Sequence, residues 1–395
     1  MTAKLPDLGL LLFVAAVVAI MTRRLRMPYT AGLVLAGMGL SFLPWRPDIQ
    51  LSKDLIFSVF LPPLVFEAAL YIPWRALRTD LPVVGLLATI GVLAAASVTA
   101  AGMHYCVGWA WTSASIFGIL ISATDPVSVI ASFKEAGVHG RLRQLVESES
   151  LLNDGTAAVA FVAALSFATG ASSGLPSLAA NFLLTFGGGI LCGLAVGAAL
   201  IAFAARTDDR VVEITFTALA AYGSFFLAEH WHFSGVLATL TAGLVTGSYR
   251  PTTSIRTSGR ESVESFWDYV AFVANSLIFL LIGARLAQQP FGAVWLSALV
   301  AILVVTFGRA IAIYPLCAIF ARSRLKVSLK HQHVLFWGGL RGALALALAL
   351  GLPPEVPRHD DIVAVSFAVV AFSIFAQGLT MRPLMRRLGE LAMHG

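Results

Sequence analysis

The sequence predicts an all-α polytopic membrane protein, and three observations support that fold class. Hydrophobic residues make up 58% of the 395 residues and charged residues only 12%, against about 25% charged residues in soluble domains. The apolar residues form long runs, and a helix of ~20 such residues crosses the hydrocarbon core of a bilayer. Basic residues collect between alternate runs, as they do on the cytoplasmic side of membrane proteins.

Several protein classes are excluded by this composition. A soluble core cannot bury so much apolar sequence, because too little polar surface remains to cover it. A soluble enzyme, a disordered chain and a nucleic-acid-binding protein are therefore excluded, and the net charge of +6 is read as a topology signal. The widely spaced Cys106, Cys192 and Cys317 predict neither disulfides nor a zinc site. No nucleotide-binding or hydrolase motif is present, so we expect neither enzyme activity nor a cofactor.

The apolar runs predict thirteen membrane spans and leave too few residues for a soluble domain. The predicted spans are 8–22, 28–43, 54–72, 82–107, 112–133, 145–170, 176–205, 211–229, 233–249, 262–288, 292–320, 334–351 and 361–380. An odd number of spans permits two inverted six-helix repeats, at about 8–170 and 211–388, joined by a connector helix at 176–205.

The distribution of Lys and Arg predicts the orientation. Of 27 basic residues, 20 lie in the loops after odd-numbered spans or in the C-terminal tail, five lie on the opposite side and two lie within spans. The basic side is the cytoplasmic one, so the N-terminus is predicted outside and the C-terminus inside. The cluster Arg23-Arg24-Leu25-Arg26 follows the first run, which favours a retained span over a cleavable signal peptide.

Span 5 contains Asp125 directly before Pro126. Pro126 has no N–H, so the helical hydrogen bond to the Ser122 carbonyl is lost, while Asp before Pro is a favourable start for a new helix. We therefore predict a discontinuous helix, broken near Thr124, whose freed carbonyls can coordinate a cation. The alternative is a proline kink with Asp125 as a structural cap.

Span 6 begins with polar residues at helical spacing. Glu147, Ser150 and Asp154 lie on one face, and Glu149 and Asn153 form the adjacent stripe. Carboxylate and hydroxyl oxygens suit a small hard cation. Glu147 fits a polar helix end at the cytoplasmic surface, whereas Asp154 lies about two turns deeper and is the candidate ion-binding carboxylate.

Span 12 contains Arg341 among three glycines, which predict a second discontinuous helix. A charge at mid-membrane costs at least ~2.5–3.5 kcal/mol. Arg341 therefore needs a partner, and the candidates are Glu149 and Asp125.

Charged residues in three further spans are open to more than one interpretation. Glu67 follows two prolines in span 3, and it either lines an ion route or hydrogen-bonds in its protonated form to a neighbouring helix. Asp268 in span 10 and Arg309 in span 11 are interpreted as members of structural pairs.

Four motifs in this order resemble the bacterial monovalent cation:proton antiporters of the NhaP type, over nearly the whole chain. They are FLPPLVFEAAL (60–70), SATDPVSV (122–129), ESLLNDG (149–155) and GGLRGALALALALGLP (338–353). The resemblance implies a homodimer in the cell inner membrane, an elevator-like motion of a six-helix core, and Na⁺ and H⁺ as substrates. One departure is Ser148, where Gly is common, and another is the short C-terminal tail.

The resemblance also implies a role for each polar residue of these motifs. Asp154 is the ion and proton carrier, with Ser150, Glu67 and the backbone of Thr124 as further Na⁺ ligands. The supporting residues are Asn153, beside the carrier; Asp125, which balances the crossed half-helices; and Glu149 with Arg341, as a structural ion pair.

A carboxylate that holds either a proton or a cation predicts exchange of Na⁺ or Li⁺ for H⁺. Asn153 cannot titrate, so one cation is expected to exchange for one proton. The alternative of the same architecture is a K⁺/H⁺ antiporter. A cation channel lacks support because no ring of carboxylates is evident, and an intramembrane aspartyl protease that uses Asp125 and Asp154 is disfavoured by Arg341.

Overall fold

The computed structural model describes residues 5–25, 27–43, 51–125, 127, 129–130, 133, 138, 140–168, 174–207, 209–248 and 254–390. Every regular element within these ranges is a helix. The α-helices are α1 (Leu5–Leu25), α2 (Tyr29–Ser41), α3 (Leu61–Leu70), α4 (Trp74–Leu86), α5 (Val92–Val107), α6 (Trp111–Leu120), α7 (Arg141–Ala168), α8 (Leu175–Ala204), α9 (Arg210–His230), α10 (Gly235–Ser248), α11 (Ser254–Leu286), α12 (Phe291–Ile319), α13 (Leu329–Trp337), α14 (Ala343–Leu350), α15 (His359–Phe372) and α16 (Leu379–Leu388). Three π-helical segments precede α3 (Leu55–Phe60), join α4 to α5 (Leu87–Gly91) and join α15 to α16 (Ser373–Gly378).

The all-α multi-pass membrane fold is confirmed. Eight of the described helices are long and apolar enough to cross a membrane, and four further apolar helices of 10–17 residues are shorter. The count of thirteen spans stays a prediction, because length and hydropathy identify only these eight as complete spans among the described residues.

Several helices begin before the predicted spans. The helix predicted to start at residue 82 begins at Trp74, and the one predicted to start at residue 262 begins at Ser254. Apolar runs mark only the part of a helix inside the hydrocarbon, whereas the backbone hydrogen bonds continue past the membrane surface through polar residues.

The helices form two groups by their packing. In the first, α2 lies along α11 and α3 along α10, while α8 and α9 pack on α10. In the second, α5 lies along α12 and α6, and α12 packs on α15. Backbones approach closely within the first group: a Cβ on Gly283 would overlap the Val34 carbonyl, so only glycine permits this contact between α2 and α11.

Both predicted discontinuous helices are confirmed. Span 12 divides into α13 and α14, and α6 ends at Leu120, followed by non-helical residues to Asp125 and helical residues at 127, 129, 130 and 133. Pro126, to which the break is assigned, lies outside the described residues. The second half of span 12, α14, is apolar on all sides, and its residues from Ala343 to Ala349 are all buried, as expected for a helix enclosed by protein.

Candidate ion-binding site

The two helix breaks cross each other inside the protein. The backbone N–H of Asp125 donates to the carbonyl of Leu340 over 2.7 Å, which joins the non-helical segment after α6 to the one between α13 and α14. This single backbone hydrogen bond satisfies two polar groups at a depth where water is scarce and an unpaired group is costly.

Two side chains of opposite charge compensate the helix ends at this crossing. The Asp125 carboxylate accepts hydrogen bonds from the backbone N–H groups of Val127, at 2.9 Å, and of Ala343, so it lies at the start of both second half-helices. Arg341 Nη1 donates to the carbonyls of Ser122 and Ala123 at 2.6 and 3.2 Å, beyond the end of α6. Negative charge is favourable at helix N-termini and positive charge at C-termini, so both residues stabilise the break. The predicted role of Asp125 rests on these contacts and stays a prediction.

Gly342 permits the close approach of Asp125 to α14. A Cβ at this position would overlap the Asp125 carboxylate. The glycine that precedes α14 therefore leaves the space in which Asp125 reaches the N–H of Ala343.

The predicted ion pair between Glu149 and Arg341 is wrong, because Glu149 pairs with Arg309 instead. Arg309 Nη1 and Nη2 donate to the two Glu149 oxygens over 2.7 and 2.8 Å, and the side chains are only 6% and 2% exposed. Arg309 Nη2 also donates to the carbonyl of Leu335 at 3.1 Å. Helix α12 places Arg309 directly opposite Glu149, whereas the Arg341 guanidinium is bound to backbone carbonyls. The prediction that Arg309 belongs to a structural pair is confirmed.

Asn153 is attached to this ion pair. Its Nδ2 donates to Glu149 Oε1 over 3.2 Å, one turn away on α7. Its buried Oδ1 accepts no hydrogen bond within the described part of the chain. Asn153, which directly precedes Asp154, is thus linked to the pair Glu149–Arg309.

A cavity of about 270 Å³ lies beside the crossing. It is lined by acidic and polar side chains from both helix groups, interspersed with apolar ones. The polar and charged lining residues are Tyr29, Glu67, Thr124, Asp125, Asp154, Asp268 and Asn275. Such a volume admits a hydrated monovalent cation, since one water occupies about 30 Å³ of liquid.

Three of the residues predicted as ligands line this cavity, namely Glu67, Thr124 and Asp154, and the fourth, Ser150, is hydrogen-bonded to Thr124. Ser150 Oγ donates to the Thr124 carbonyl and accepts from Thr124 Oγ1, at 3.2 Å in the second contact. The Asp154 carboxylate accepts from the backbone N–H of Thr124, while its buried Oδ1 accepts no hydrogen bond from a described residue. Glu67 lines the same cavity. Glu147 lies apart from it and pairs with Arg143 at 2.7 Å.

Three residues of the cavity wall carried no such role in the sequence analysis. Tyr29 hydrogen-bonds to Ser276 at 2.7 Å and lines the cavity together with Asp268 and Asn275. The spacing of seven between Asp268 and Asn275 puts both on one face of α11. That spacing is the sequence signal from which these two residues could have been predicted to line one cavity.

Comparison with known proteins identifies the family. The model of the family described as "Sodium/hydrogen exchanger, transmembrane" matches residues 10–387. This chain belongs to the sodium/hydrogen exchanger family. Its identity to the Na⁺/H⁺ antiporter ApNhaP of Aphanothece halophytica is 38% over 366 residues, which cover 92% of this chain and 70% of the relative. For the Na⁺/H⁺ antiporter NhaH of Halobacillus dabanensis, the identity is 35% with 97% of both chains covered.

The exchanger fold is also that of a solved structure. The sodium proton antiporter MjNhaP1 of Methanocaldococcus jannaschii superposes with a TM-score of 0.75 at 19% identity, over 96% of this chain and 97% of that one. The predicted resemblance to the NhaP-type exchangers is confirmed.

The buried pair between Glu149 and Arg309 predicts a large loss of stability in Arg309→Met. This substitution leaves the Glu149 carboxylate buried without a counter-charge, which costs ~3–5 kcal/mol. The melting temperature of the purified protein in detergent measures the loss. Arg322→Met, which removes an exposed arginine just after α12, is the matched control. The double variant Glu149→Met, Arg309→Met is expected to recover most of the loss, and a single variant as stable as the control would contradict the pairing.

Proposed function

We propose that this exchanger carries Na⁺ or Li⁺ across the membrane in exchange for H⁺, and that cation and proton compete for Asp154. The observation that supports this most directly is the position of Asp154. It lines the cavity and has a buried oxygen without a described hydrogen-bond donor. A carboxylate oxygen in that state is suited to a proton or a metal cation.

The ligands that we propose for Na⁺ are the oxygens around this carboxylate. Ser150 and the backbone of Thr124 are joined to each other, and Glu67 lines the same cavity as Asp154. Carboxylate, hydroxyl and carbonyl oxygens are the ligands that hard cations prefer. The Na⁺ site therefore consists of Asp154, Ser150, Glu67 and Thr124, and Na⁺ is substrate here, not a resident cofactor.

Exchange follows from the charge of the carrier. Asp154 is neutral at the carboxylate when it holds either a proton or Na⁺, so both loaded forms cross the apolar barrier. The empty form carries an uncompensated charge and crosses poorly, because a charge in hydrocarbon is costly. Because Asp154 binds only one of the two ions at a time, the movement of Na⁺ is coupled to that of H⁺ without any further coupling residue.

The residues beside the carrier hold it in place. Asn153 connects the carrier segment to Glu149, which Arg309 neutralises. Asp125 and Arg341 stabilise the crossed half-helices. Since Asn153 cannot titrate, it adds no second carrier acid beside Asp154, and the proposed cycle exchanges one proton for one monovalent cation.

We further propose the topology and assembly in which this exchange takes place. The N-terminus is outside and the C-terminus is in the cytoplasm, with the protein in the cell inner membrane as a homodimer. Residues 8–170 and 211–388 form inverted repeats around the connector 176–205. The group that contains α4–α7 and α12–α16 moves relative to the other group, and this motion exposes Asp154 to each side in turn.

The alternative within this fold is K⁺/H⁺ exchange. Oxygen ligands bind Na⁺, Li⁺ and K⁺, and selectivity among them depends on the size of the occupied site. Acridine-orange fluorescence in inside-out vesicles, with each chloride salt added in turn, decides between them. Proton movement with K⁺ alone would replace Na⁺ as the proposed substrate.

Asp154→Asn is expected to abolish exchange, because an amide neither titrates nor supplies a negative ligand. The assay is Na⁺-dependent proton flux in the same vesicles, normalised to the amount of folded protein. Asp209→Asn is the matched control, since Asp209 is the exposed cap of α9 and Asn is an equally good cap. Wild-type rates in Asp154→Asn would refute the carrier role.

Competition predicts that apparent Na⁺ affinity falls as pH falls. A proton and Na⁺ compete when they share one carboxylate. Each unit by which the pH falls below the pKa of that carboxylate then raises the half-saturating Na⁺ concentration by up to about tenfold. The measurement is the rate against Na⁺ concentration at several pH values, with equal pH on both sides. A half-saturating concentration that stays constant over two units would exclude a shared site.

One-for-one exchange predicts indifference to membrane voltage. Moving a net charge across 100 mV is worth ~2.3 kcal/mol, whereas an electroneutral cycle moves none. Na⁺-driven proton flux in proteoliposomes is therefore expected to be equal at clamped potentials of either sign, set by valinomycin and K⁺ gradients. A severalfold change in steady-state flux with potential would show that the cycle transfers net charge.

A further inference from the structure

Asp268 is an acidic residue of the cavity that the proposed exchange at Asp154 does not use. It lies on α11 and is exposed, and Phe272 and Asn275 line the same cavity. These positions are four and three residues apart, so they form a row along one face of the helix. Asp268 lies about 10 Å nearer than Asn275 to the start of α11, which is cytoplasmic in the proposed orientation. Asp268 therefore marks the cytoplasmic mouth of the cavity.

A hydrogen bond joins Asp268 to the residue that follows α3. Tyr71, just after α3, donates its hydroxyl to Asp268 Oδ1 over 3.0 Å, and the same hydroxyl lies 3.3 Å from the backbone oxygen of Glu264. Tyr71 follows Glu67 by four residues, which is about one helical turn. The contact thus places the Asp268 carboxylate about one turn towards the cytoplasm from Glu67, a proposed Na⁺ ligand.

Asp268 also differs from Glu264, the acidic residue one turn before it, in that it has no basic partner within the described residues. Glu264 is paired with Arg260 through a contact of 2.6 Å. No ion pair joins Asp268 to a basic side chain within the described ranges of the chain. An exposed negative charge of this kind at the entrance of a cleft attracts cations and raises their local concentration.

We propose that Asp268 is the cytoplasmic capture residue of this exchanger: it attracts Na⁺ to the mouth of the cavity and positions it for transfer towards Glu67 and Asp154. This inference rests on the proposed function and adds a positioning residue to it. Because Asp268 acts before the cation reaches Asp154, its charge changes the Na⁺ concentration that half-saturates transport from the cytoplasmic side. It leaves the maximal rate unchanged.

The test is Na⁺-dependent proton flux by Asp268→Asn from each side of the membrane separately, in inside-out and right-side-out vesicles. Loss of one charge acting through solvent is expected to raise the half-saturating Na⁺ concentration about two- to fivefold on the cytoplasmic side. The maximal rate and the value for the other side are expected to stay at wild-type levels. Asp268→Glu, which keeps the charge, is expected to restore the wild-type value.

The matched control is Glu261→Gln, which removes an exposed carboxylate from the same end of α11 but outside the cavity lining. Its half-saturating Na⁺ concentration is expected to equal that of the wild type. Ionic strength provides a second readout. Raising inert salt from about 0.01 M to about 0.15 M shortens the Debye length from about 30 Å to about 8 Å, so the difference between Asp268→Asn and wild type is expected to shrink.

The outcomes separate the inference from the function on which it rests. Absence of exchange by the wild-type protein would overturn the proposed function itself. Normal wild-type exchange with an unchanged half-saturating concentration in Asp268→Asn would overturn only the capture role. If Asp268→Asn lowers the maximal rate from both sides and Asp268→Glu does not restore it, Asp268 has a structural role and the capture role is overturned. If the half-saturating Na⁺ concentration changes only on the outer side, the cytoplasmic position of Asp268 is refuted.

Discussion

Two helices that break inside a membrane protein leave backbone groups without helical partners where little water is available, and satisfying those groups is the main physical constraint on this site. Arg341 donates to two carbonyls beyond the end of α6, and Asp125 accepts from N–H groups that begin the second half-helices. Each charge lies at the helix end of opposite partial charge. The two side chains therefore compensate the backbone locally, and the crossing carries no net formal charge.

The crossing determines where the carrier group lies. The non-helical segment brings Thr124 against Ser150 and the Asp154 carboxylate on α7. One turn away on the same helix, Glu149 is neutralised by Arg309 of α12. The buried charges of this region are thus matched by fixed partners, whereas Asp154 forms no ion pair within the described residues. The proposed exchange of a proton for a cation requires an acid of this kind, without a permanent counter-charge.

The same contrast between paired and unpaired acids extends beyond the crossing. Asp80 is paired with Arg141 at 2.8 Å, and Glu264 with Arg260. Such pairs hold helices together or contribute little beyond local order. Asp268 lines the cavity, accepts a hydrogen bond from a tyrosine hydroxyl and forms no ion pair within the described residues. Asp154 and Asp268, which form no ion pair within the described residues, are the acids to which we assign cation binding and capture.

Much of this architecture could be predicted before the structure was known: the fold class and the broken helices are confirmed, and Asp154 stays the predicted carrier. Apolar runs are conspicuous because hydrocarbon excludes polar side chains over whole helices. Asp125 before Pro126 and the glycines around Arg341 signal the breaks through local backbone chemistry. The spacing of Ser150 and Asp154 places both on one helix face, because helical geometry is a property of the chain alone.

Which charged side chains meet could not be predicted from the sequence. Arg341 and Arg309 are both buried arginines in apolar spans, and nothing in their local sequence distinguishes a partner for Glu149. The fold brings Arg309 of α12 to Glu149 of α7, whereas Arg341 donates to the carbonyls beyond α6. The position of Asp268 in the cavity wall likewise depends on how α11 lies against α3. Partners far apart in sequence are set by helix packing, which the spacing along one chain does not encode.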